Sequence, residues 1–142
     1  MKIIVDLNVL LDVLQQREPH YMHSAAVLSL ALNGKIEACL PGHAITTIHY
    51  VVSKATSTLK ADLAIDWLLA HFDIIALDKS ALLYARNLSI DDFEDAVVAS
   101  LALRSQCDYV VTRNIVDFEQ APVLAILPGQ LLILIEEKLS DR

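Results

Sequence analysis

The sequence predicts an α/β fold, a three-layer α/β/α sandwich around a central parallel sheet of four to five strands. Short runs rich in β-branched residues alternate along the chain with longer runs of helical periodicity. This alternation is typical of parallel strands joined by right-handed crossover helices. Residues 3–5 and 109–111 are apolar or aromatic throughout, as expected for strands that helices cover on both faces.

Five runs have the length and composition of strands. The first is apolar after Lys2, and the second stops at Pro41 and Gly42, two residues that interrupt strands. The fifth run is short and precedes the last helix. The predicted strands are 2–5, 36–40, 72–76, 108–112 and 123–126.

Seven helices are predicted between and after these strands, from apolar periodicity and from capping residues. Asn33 and Gly34 are typical of a helix C-cap, and Pro128 is favoured in a first turn. The helix at 44–54 is predicted against the strand preference of its β-branched residues. The predicted helices are 8–16, 23–33, 44–54, from a cap at Ser57 or Thr58 to 71, from a cap at Asp78 to 87, from a cap at Asp91 or Asp92 to 105, and one beginning at Pro128.

The composition indicates one folded domain, and we predict that it spans residues 1–142. The chain is 55% hydrophobic and 20% charged, which excludes intrinsic disorder. Its apolar runs are shorter than the ~18–20 residues of a membrane span. Asp6 and Asp12 interrupt the region where a signal peptide would be apolar. No membrane association and a cytoplasmic location are therefore expected.

The charge balance limits how the chain can meet nucleic acid. Its 11 basic and 18 acidic residues give a net charge of −7, which argues against binding through a basic face. The negative net charge is compatible with an enzyme that binds phosphates through metal ions. Cys39 and Cys107 lack CxxC spacing and are expected to be buried free thiols.

Acidic and amide residues stand where several predicted elements begin or end. Asp6 follows the first strand, Asn114 and Asp117 follow the fourth, and Asp92 and Asp95 open an apolar helix. Ligands of open parallel sheets bind beyond the carboxyl ends of the strands. Each residue also has a structural explanation, since Asp caps helices and both Asn and Asp favour turns. Asp95, one turn inside a buried helix and on the same face as Asp92, needs a cation or hydrogen-bond donors.

Taken together, these residues favour metal-assisted hydrolysis. Hard divalent ions prefer carboxylate and amide oxygens, and such an ion can activate water and neutralise a phosphoryl oxygen. The sequence offers no Gly-rich phosphate loop and no Ser/His or Cys/His pair at a strand end. The candidate metal ligands are Asp6, Asp92, Asp95, Asn114 and Asp117, and the candidate catalytic residues among them are Asp6, Asp95 and Asp117.

Three segments resemble the PIN domain family in their order and spacing: IIVDLNVLLDVL, DDFEDAVVASLAL and CDYVVTRNIVDF. Within that family the likeness is to bacterial single-domain proteins of the VapC toxin type. The resemblance implies a ribonuclease that holds Mg²⁺ or Mn²⁺ with three or four acids. By position, Asp6 matches the first family acid and Asp95 the third. The fourth falls at Asn114, with Asp117 close by.

The chain departs from the family pattern at the second acid, which is usually a Glu on the helix after strand two. In ITTIHYVV this place is taken by His49, either as a helix residue satisfied by a neighbour or as a substitute ligand. With Asn114 also in place of an acid, the site carries less negative charge than is usual. A further carboxylate, such as Asp12, Asp92 or Glu94, would compensate if it pointed into the site.

Two functions from different classes follow. The first is a metal-dependent endoribonuclease that acts as the toxin of a toxin–antitoxin pair. Its partners would be RNA, a separate antitoxin protein and, through apolar helix surface, a second copy of the chain. The alternative is a catalytically weakened PIN-like module that binds RNA or protein. They differ in whether enough carboxylates meet at one site. A receiver-like signalling domain lacks support, since no adjacent acids end the first strand.

Overall fold

The structure is a computed structural model that describes residues 1–141. Five parallel strands form one sheet in the order β3-β2-β1-β4-β5. The prediction of an α/β fold with a parallel sheet of four to five strands is confirmed. The strands are β1 (Lys2–Val5), β2 (Glu37–Pro41), β3 (Asp73–Ile75), β4 (Tyr109–Val111) and β5 (Leu124–Ile126).

Seven α-helices surround this sheet within residues 1–141, and each corresponds to a predicted one. In the described part of the chain, no helix combines the length and the apolar character that crossing a membrane requires. A 3₁₀ turn at Ile115–Phe118 was not predicted. The helices are α1 (Leu7–Leu14), α2 (Tyr21–Leu32), α3 (Gly42–Ala55), α4 (Thr58–His71), α5 (Lys79–Arg86), α6 (Phe93–Arg104) and α7 (Pro128–Ser140).

The three layers follow from the alternation of side chains along each strand. In β1, Ile3 and Val5 join the apolar cluster that α1, α2, α3, α4 and α7 cover, whereas Ile4 joins the cluster covered by α5 and α6. All three side chains are fully buried, and each contributes about 1.5–3 kcal/mol through removal from water. Both faces of the sheet must therefore be apolar, which explains the continuous apolar runs in the sequence.

Helix α3 forms although its β-branched residues favour strands. Ala44, Ile48 and Val52 are spaced four residues apart and are all buried, so one helical stripe faces the core and packs beside α4. Each β-branched residue costs a helix only a few tenths of a kcal/mol, and burial of this stripe outweighs that cost.

The structure also resolves the two capping alternatives. The Ser57 hydroxyl accepts a hydrogen bond from Lys60 N at 3.2 Å, so Ser57 caps α4. Asp92 caps α6, because its Oδ1 accepts from Asp95 N at 3.0 Å. The predicted turn after α2 contains Gly34 at a φ of +72°, a left-handed conformation that favours glycine.

The order of the strands places the carboxyl ends of β1 and β4 side by side. Strand β1 pairs with β2 on one side and with β4 on the other, so the direction of chain progression across the sheet reverses between β1 and β4. Asp6 N donates to Val111 O at 2.9 Å, which joins the two strand ends. Ligands of open parallel sheets bind at such a reversal.

Candidate metal centre

Three carboxylates meet at this reversal point. Asp6, Glu94 and Asp95 each offer a carboxylate oxygen within 4.8 Å of the others. Asp6 comes from the end of β1, while Glu94 and Asp95 come from the first turn of α6. Asp6 is 3% exposed and Asp95 is 9% exposed. Carboxylate oxygens are the ligands that hard divalent cations prefer, so the chemistry of this donor set fits Mg²⁺ or Mn²⁺.

Both carboxylate oxygens of Asp6 have hydrogen-bond partners. Oδ1 accepts from Leu7 N at 2.8 Å, and Oδ2 accepts from the Thr112 hydroxyl at 2.8 Å. Asp6 is therefore both the N-cap of α1 and a member of the carboxylate cluster. The Thr112 hydroxyl also accepts from Asn114 N at 3.1 Å. This chain of bonds fixes the Asp6 carboxylate against the loop that follows β4.

Asp95 is held in place by the buried body of its own helix. The residues from Ala96 to Ala102 are all buried, so packing sets the rotation of α6 and thereby the direction of its first turn. The exposed Asp92 caps this turn. The helix N-terminus favours nearby negative charge, which makes a carboxylate pair at this point less costly.

Burial and mutual repulsion shift the pKa values of the two buried acids. Burial raises the pKa of Asp6 from 3.8 to about 6, with a smaller rise from the charge of Glu94, against the lowering effect of its hydrogen bonds. Burial also raises the pKa of Asp95 from 3.8 to about 7, assisted by the charges of Asp6, Asp92 and Glu94. A bound divalent cation would relieve both the burial cost and the repulsion.

These shifts predict how metal-free stability varies with pH. Folded Asp6 and Asp95 keep protons up to pH values of about 6 and 7, whereas the unfolded carboxyls release them near 3.8. The folded state thus binds more protons between these values, and stability falls as pH rises from about 4 to about 7. At about 1.4 kcal/mol per pKa unit, we expect a loss on the order of 5 kcal/mol for the two groups together.

Urea denaturation in EDTA at several pH values measures this effect, and Mn²⁺ should restore stability at pH 7. The double variant Asp6→Asn with Asp95→Asn is the control, because it lacks both titrating groups and should show a shallower decline. A double variant with the same pH dependence as the unaltered protein would contradict the prediction.

Glu94 has a partner that the sequence analysis overlooked. His43 Nε2 lies 3.0 Å from Glu94 Oε1, and His43 belongs to the first turn of α3. Gly42 lets α3 begin close to β3, since a Cβ there would lie 2.7 Å from Ile75 O. The sequence contained an indication of this role, because His43 comes shortly after the end of a strand, as Asp6 does.

His49 lies away from the cluster. Its Nε2 is 2.7 Å from Asp62 Oδ1 on α4; the His49 side chain is partly exposed and the Asp62 side chain is exposed. The structure thus agrees with a helix residue satisfied by a neighbour and gives no support to a substitute ligand. The physical reason is distance along α3, because His49 is six residues, or about 9 Å of helix, beyond His43.

Asp117 does not belong to the group of three carboxylates. Asp117 and Asn114 are both exposed, and the Asn114 backbone N donates to the Thr112 hydroxyl at 3.1 Å. Asp117 lies in the 3₁₀ turn whose Phe118 is buried in the core. Anchoring of Phe118 leaves the Asp117 carboxylate in solvent, and the catalytic role of Asp117 stays a prediction. Asp92 caps α6.

Asp12 forms a buried ion pair instead of facing the cluster. Arg113 Nε donates to Asp12 Oδ2 at 2.6 Å, and a second guanidinium nitrogen donates to Oδ1 at 3.2 Å. Asp12 is fully buried. Arg113 N also donates to Asn8 Oδ1 at 3.4 Å. These contacts tie α1 to the loop after β4, the loop that holds Asp6 through Thr112.

Comparison with known proteins agrees with this architecture. Residues 2–116 match the family model described as PIN domain. The chain is 25% identical over 118 residues to Ribonuclease VapC1 of Aquifex aeolicus (strain VF5), covering 80% of this chain and 81% of that protein. The crystal structure of VapBC2 from Rickettsia felis bound to a promoter DNA fragment superposes with a TM-score of 0.69 at 18% identity, over 89% of this chain and 98% of that one.

A toxin–antitoxin complex from Klebsiella pneumoniae superposes with a TM-score of 0.66 at 16% identity, over 88% of this chain and 96% of that chain. At such identities the structural likeness shows the fold alone. The family model spans most of the chain and includes Asp6, Glu94 and Asp95. The chain therefore belongs to the PIN domain family.

Proposed function

We propose that this protein is a divalent-metal-dependent endoribonuclease and the toxin of a toxin–antitoxin pair. The observation that supports this most directly is the cluster of Asp6, Glu94 and Asp95 at the point where strand order reverses. Similarity to a protein named as a ribonuclease supports RNA as the substrate. Similarity in fold to a toxin–antitoxin complex supports the toxin role.

In this proposal Asp6, Glu94 and Asp95 would hold Mg²⁺ or Mn²⁺. Such an ion supplies a nucleophilic water and neutralises charge on the phosphoryl oxygen. The chain's contribution is to hold the three carboxylates in position before substrate arrives. Thr112 and the backbone N of Leu7 orient Asp6, and His43 orients Glu94.

A second candidate function is a weakened module that binds RNA or protein without cleavage. It is favoured by the Asn at position 114 and by the distance of His49 from the cluster. Glu94 favours the nuclease, because it brings the number of clustered carboxylates to three. The family resemblance implies that three or four acids hold the metal, and this cluster has three. We therefore prefer the endoribonuclease over the binding module.

The toxin role also implies protein partners. Tyr50 on α3 and Leu59 and Leu63 on α4 are large apolar side chains that are more than half exposed. Exposed apolar surface of this kind is typical of interaction sites. We propose that it contributes to binding an antitoxin protein or a second copy of the chain.

Cleavage of RNA by the purified protein tests the proposed function. We expect single-stranded RNA to be cut internally in Mn²⁺ and left intact when EDTA is present. Cleavage should weaken as salt rises, because attraction between exposed charges is screened over ~10 Å at 0.1 M. Cleavage that persists in EDTA would contradict metal dependence. RNA binding without cleavage in Mn²⁺ would favour the weakened module.

Two histidine substitutions test whether the metal binds where the carboxylates meet. His43→Glu adds a carboxylate beside Glu94, whereas His49→Glu adds one about 9 Å further along the helix. We expect His43→Glu to tighten Mn²⁺ binding roughly tenfold, since affinity for a hard cation rises with ligand charge. His49→Glu should leave it unchanged. Isothermal titration calorimetry measures both, and tighter binding only in His49→Glu would place the metal elsewhere.

A further inference from the structure

A cavity of about 800 Å³ lies between the first turns of α2 and α7. Arg113 and Asn114 form one wall of the cavity. They directly follow Thr112, whose hydroxyl donates to Asp6. The cavity therefore shares the loop after β4 with the carboxylate cluster. Its volume falls in the range of ~300–1,000 Å³ that small-molecule sites occupy.

The charge of the cavity differs from that of the protein as a whole. The chain carries a net charge of −7, yet Glu136 is the one acidic residue that lines the cavity within the described chain. Neither α2 nor α7 has an acidic residue in its first turn or a side-chain hydrogen bond from its N-cap. Two helix N-termini, together with His20 and His23, thus offer backbone N–H groups and imidazoles to an anion.

A buried hydroxyl points to a polar ligand in the same place. Ser24 lines the cavity and is fully buried, and its Oγ has no hydrogen-bond partner among residues 1–141. Buried hydroxyls are normally satisfied, so a polar ligand would complete this one. Gly129 contributes by lacking a side chain, because a Cβ there would lie 2.9 Å from His23 Nδ1. The His23 ring can therefore lie against the first turn of α7.

The remaining wall of the cavity is apolar and includes Leu127, Leu132 and Ile133. An anion-accepting end beside an apolar wall matches a nucleotide, which joins a phosphate to a flat, largely apolar base. We propose that this cavity binds one nucleotide of the RNA substrate next to the phosphate that is cut. The nucleotide's phosphate lies at the two helix N-termini and its base against the apolar wall. This assignment rests on the proposed ribonuclease function and specifies part of its substrate recognition.

Nucleotide titration of the unaltered protein in EDTA is the first test. In ¹H–¹⁵N NMR spectra, adenosine and cytidine 5′-monophosphates should shift the backbone amides of residues 21–24 and 129–131. Inorganic phosphate should bind at least about tenfold more weakly, because it lacks a base for the apolar wall. Shifts confined to other residues, or equal binding of inorganic phosphate, would overturn the assignment.

Two substitutions on α7 form the second test. Ile133 and Leu139 are 58% and 57% exposed, and Ile133 lines the cavity whereas Leu139 does not. Ile133→Glu should weaken binding of a short single-stranded RNA in EDTA at least about tenfold, because a carboxylate replaces the apolar contact with the base and adds negative charge near the RNA phosphates. Leu139→Glu makes the same change in charge and should alter binding less than about twofold. Thermal melting checks that both variants fold, and equal RNA binding by the two would overturn the assignment.

The outcomes separate this inference from the proposed function. Metal-dependent cleavage without nucleotide shifts would overturn the cavity assignment and leave the ribonuclease proposal standing. Nucleotide shifts at α2 and α7 without cleavage would overturn the ribonuclease proposal and keep the cavity as a nucleotide site. If a leucine-rich amphipathic peptide shifts these amides and nucleotides do not, the cavity binds a protein segment and the nucleotide assignment is wrong.

Discussion

Replacing Asp6 or Asp95 with asparagine is expected to lower Mn²⁺-dependent RNA cleavage by ~10³-fold or more. Asparagine has nearly the same shape as aspartate but carries no charge. Each substitution therefore removes one of the three negative charges that meet within 4.8 Å. Calorimetric titration should show weaker Mn²⁺ binding in each single variant and none in the double variant. The same substitutions should stabilise the metal-free protein near neutral pH, because they remove a buried charge.

Asp117→Asn is the matched control for this experiment. The sequence predicts Asp117 as a catalytic residue, and its substitution changes the charge by the same amount. The structure places its exposed side chain on a 3₁₀ turn outside the cluster, so we expect cleavage to change less than about threefold. If Asp117→Asn abolishes cleavage while Asp6→Asn does not, the metal centre has been placed wrongly.

Asp12→Ala is expected to destabilise the protein by about 3–5 kcal/mol. It leaves the Arg113 guanidinium without the carboxylate that accepts two of its hydrogen bonds. Removing one member of a buried ion pair costs more than the intact pair contributes to stability. The reason is that the remaining guanidinium is still partly removed from water but no longer has a carboxylate to compensate. Since domains are stable by only ~5–15 kcal/mol, this loss is a large fraction of the total. Urea denaturation at neutral pH measures it.

Two further variants decide whether the effect comes from the buried pair. Asp62→Ala breaks the exposed pair with His49 and should cost no more than ~1 kcal/mol. The double substitution Asp12→Leu with Arg113→Met replaces the buried pair with apolar groups, and it should recover much of the stability that Asp12→Ala loses. A loss below ~1 kcal/mol in Asp12→Ala would show that the pair contributes little to stability.

The Asp12–Arg113 pair also links stability to the site. Arg113 immediately follows Thr112, and the Thr112 hydroxyl donates to Asp6. Loss of the pair would release the loop after β4, so Asp12→Ala should weaken Mn²⁺ binding even under conditions where the protein is folded. The cavity beside this loop shares Arg113 as a wall residue and would be affected in the same way.

Much of the fold could be predicted from the sequence because its determinants are local. Strand and helix periodicities, the Ser57 and Asp92 caps and the turn at Gly34 each depend on residues a few positions apart. The parallel sheet follows from the alternation of these elements. Asp6 and Asp95 could be selected because one ends a strand and the other begins a buried helix, and both positions are visible in the sequence.

The tertiary structure alone decided which side chains meet. Strand order placed the ends of β1 and β4 side by side, and packing of α6 turned Glu94 toward Asp6 and His43. The same packing left His49 with Asp62, Asp12 with Arg113 and Asp117 in solvent. The physical reason is that a side chain's direction depends on the rotation of its helix. Contacts between residues far apart in sequence set that rotation, and these contacts cannot be inferred from local periodicity.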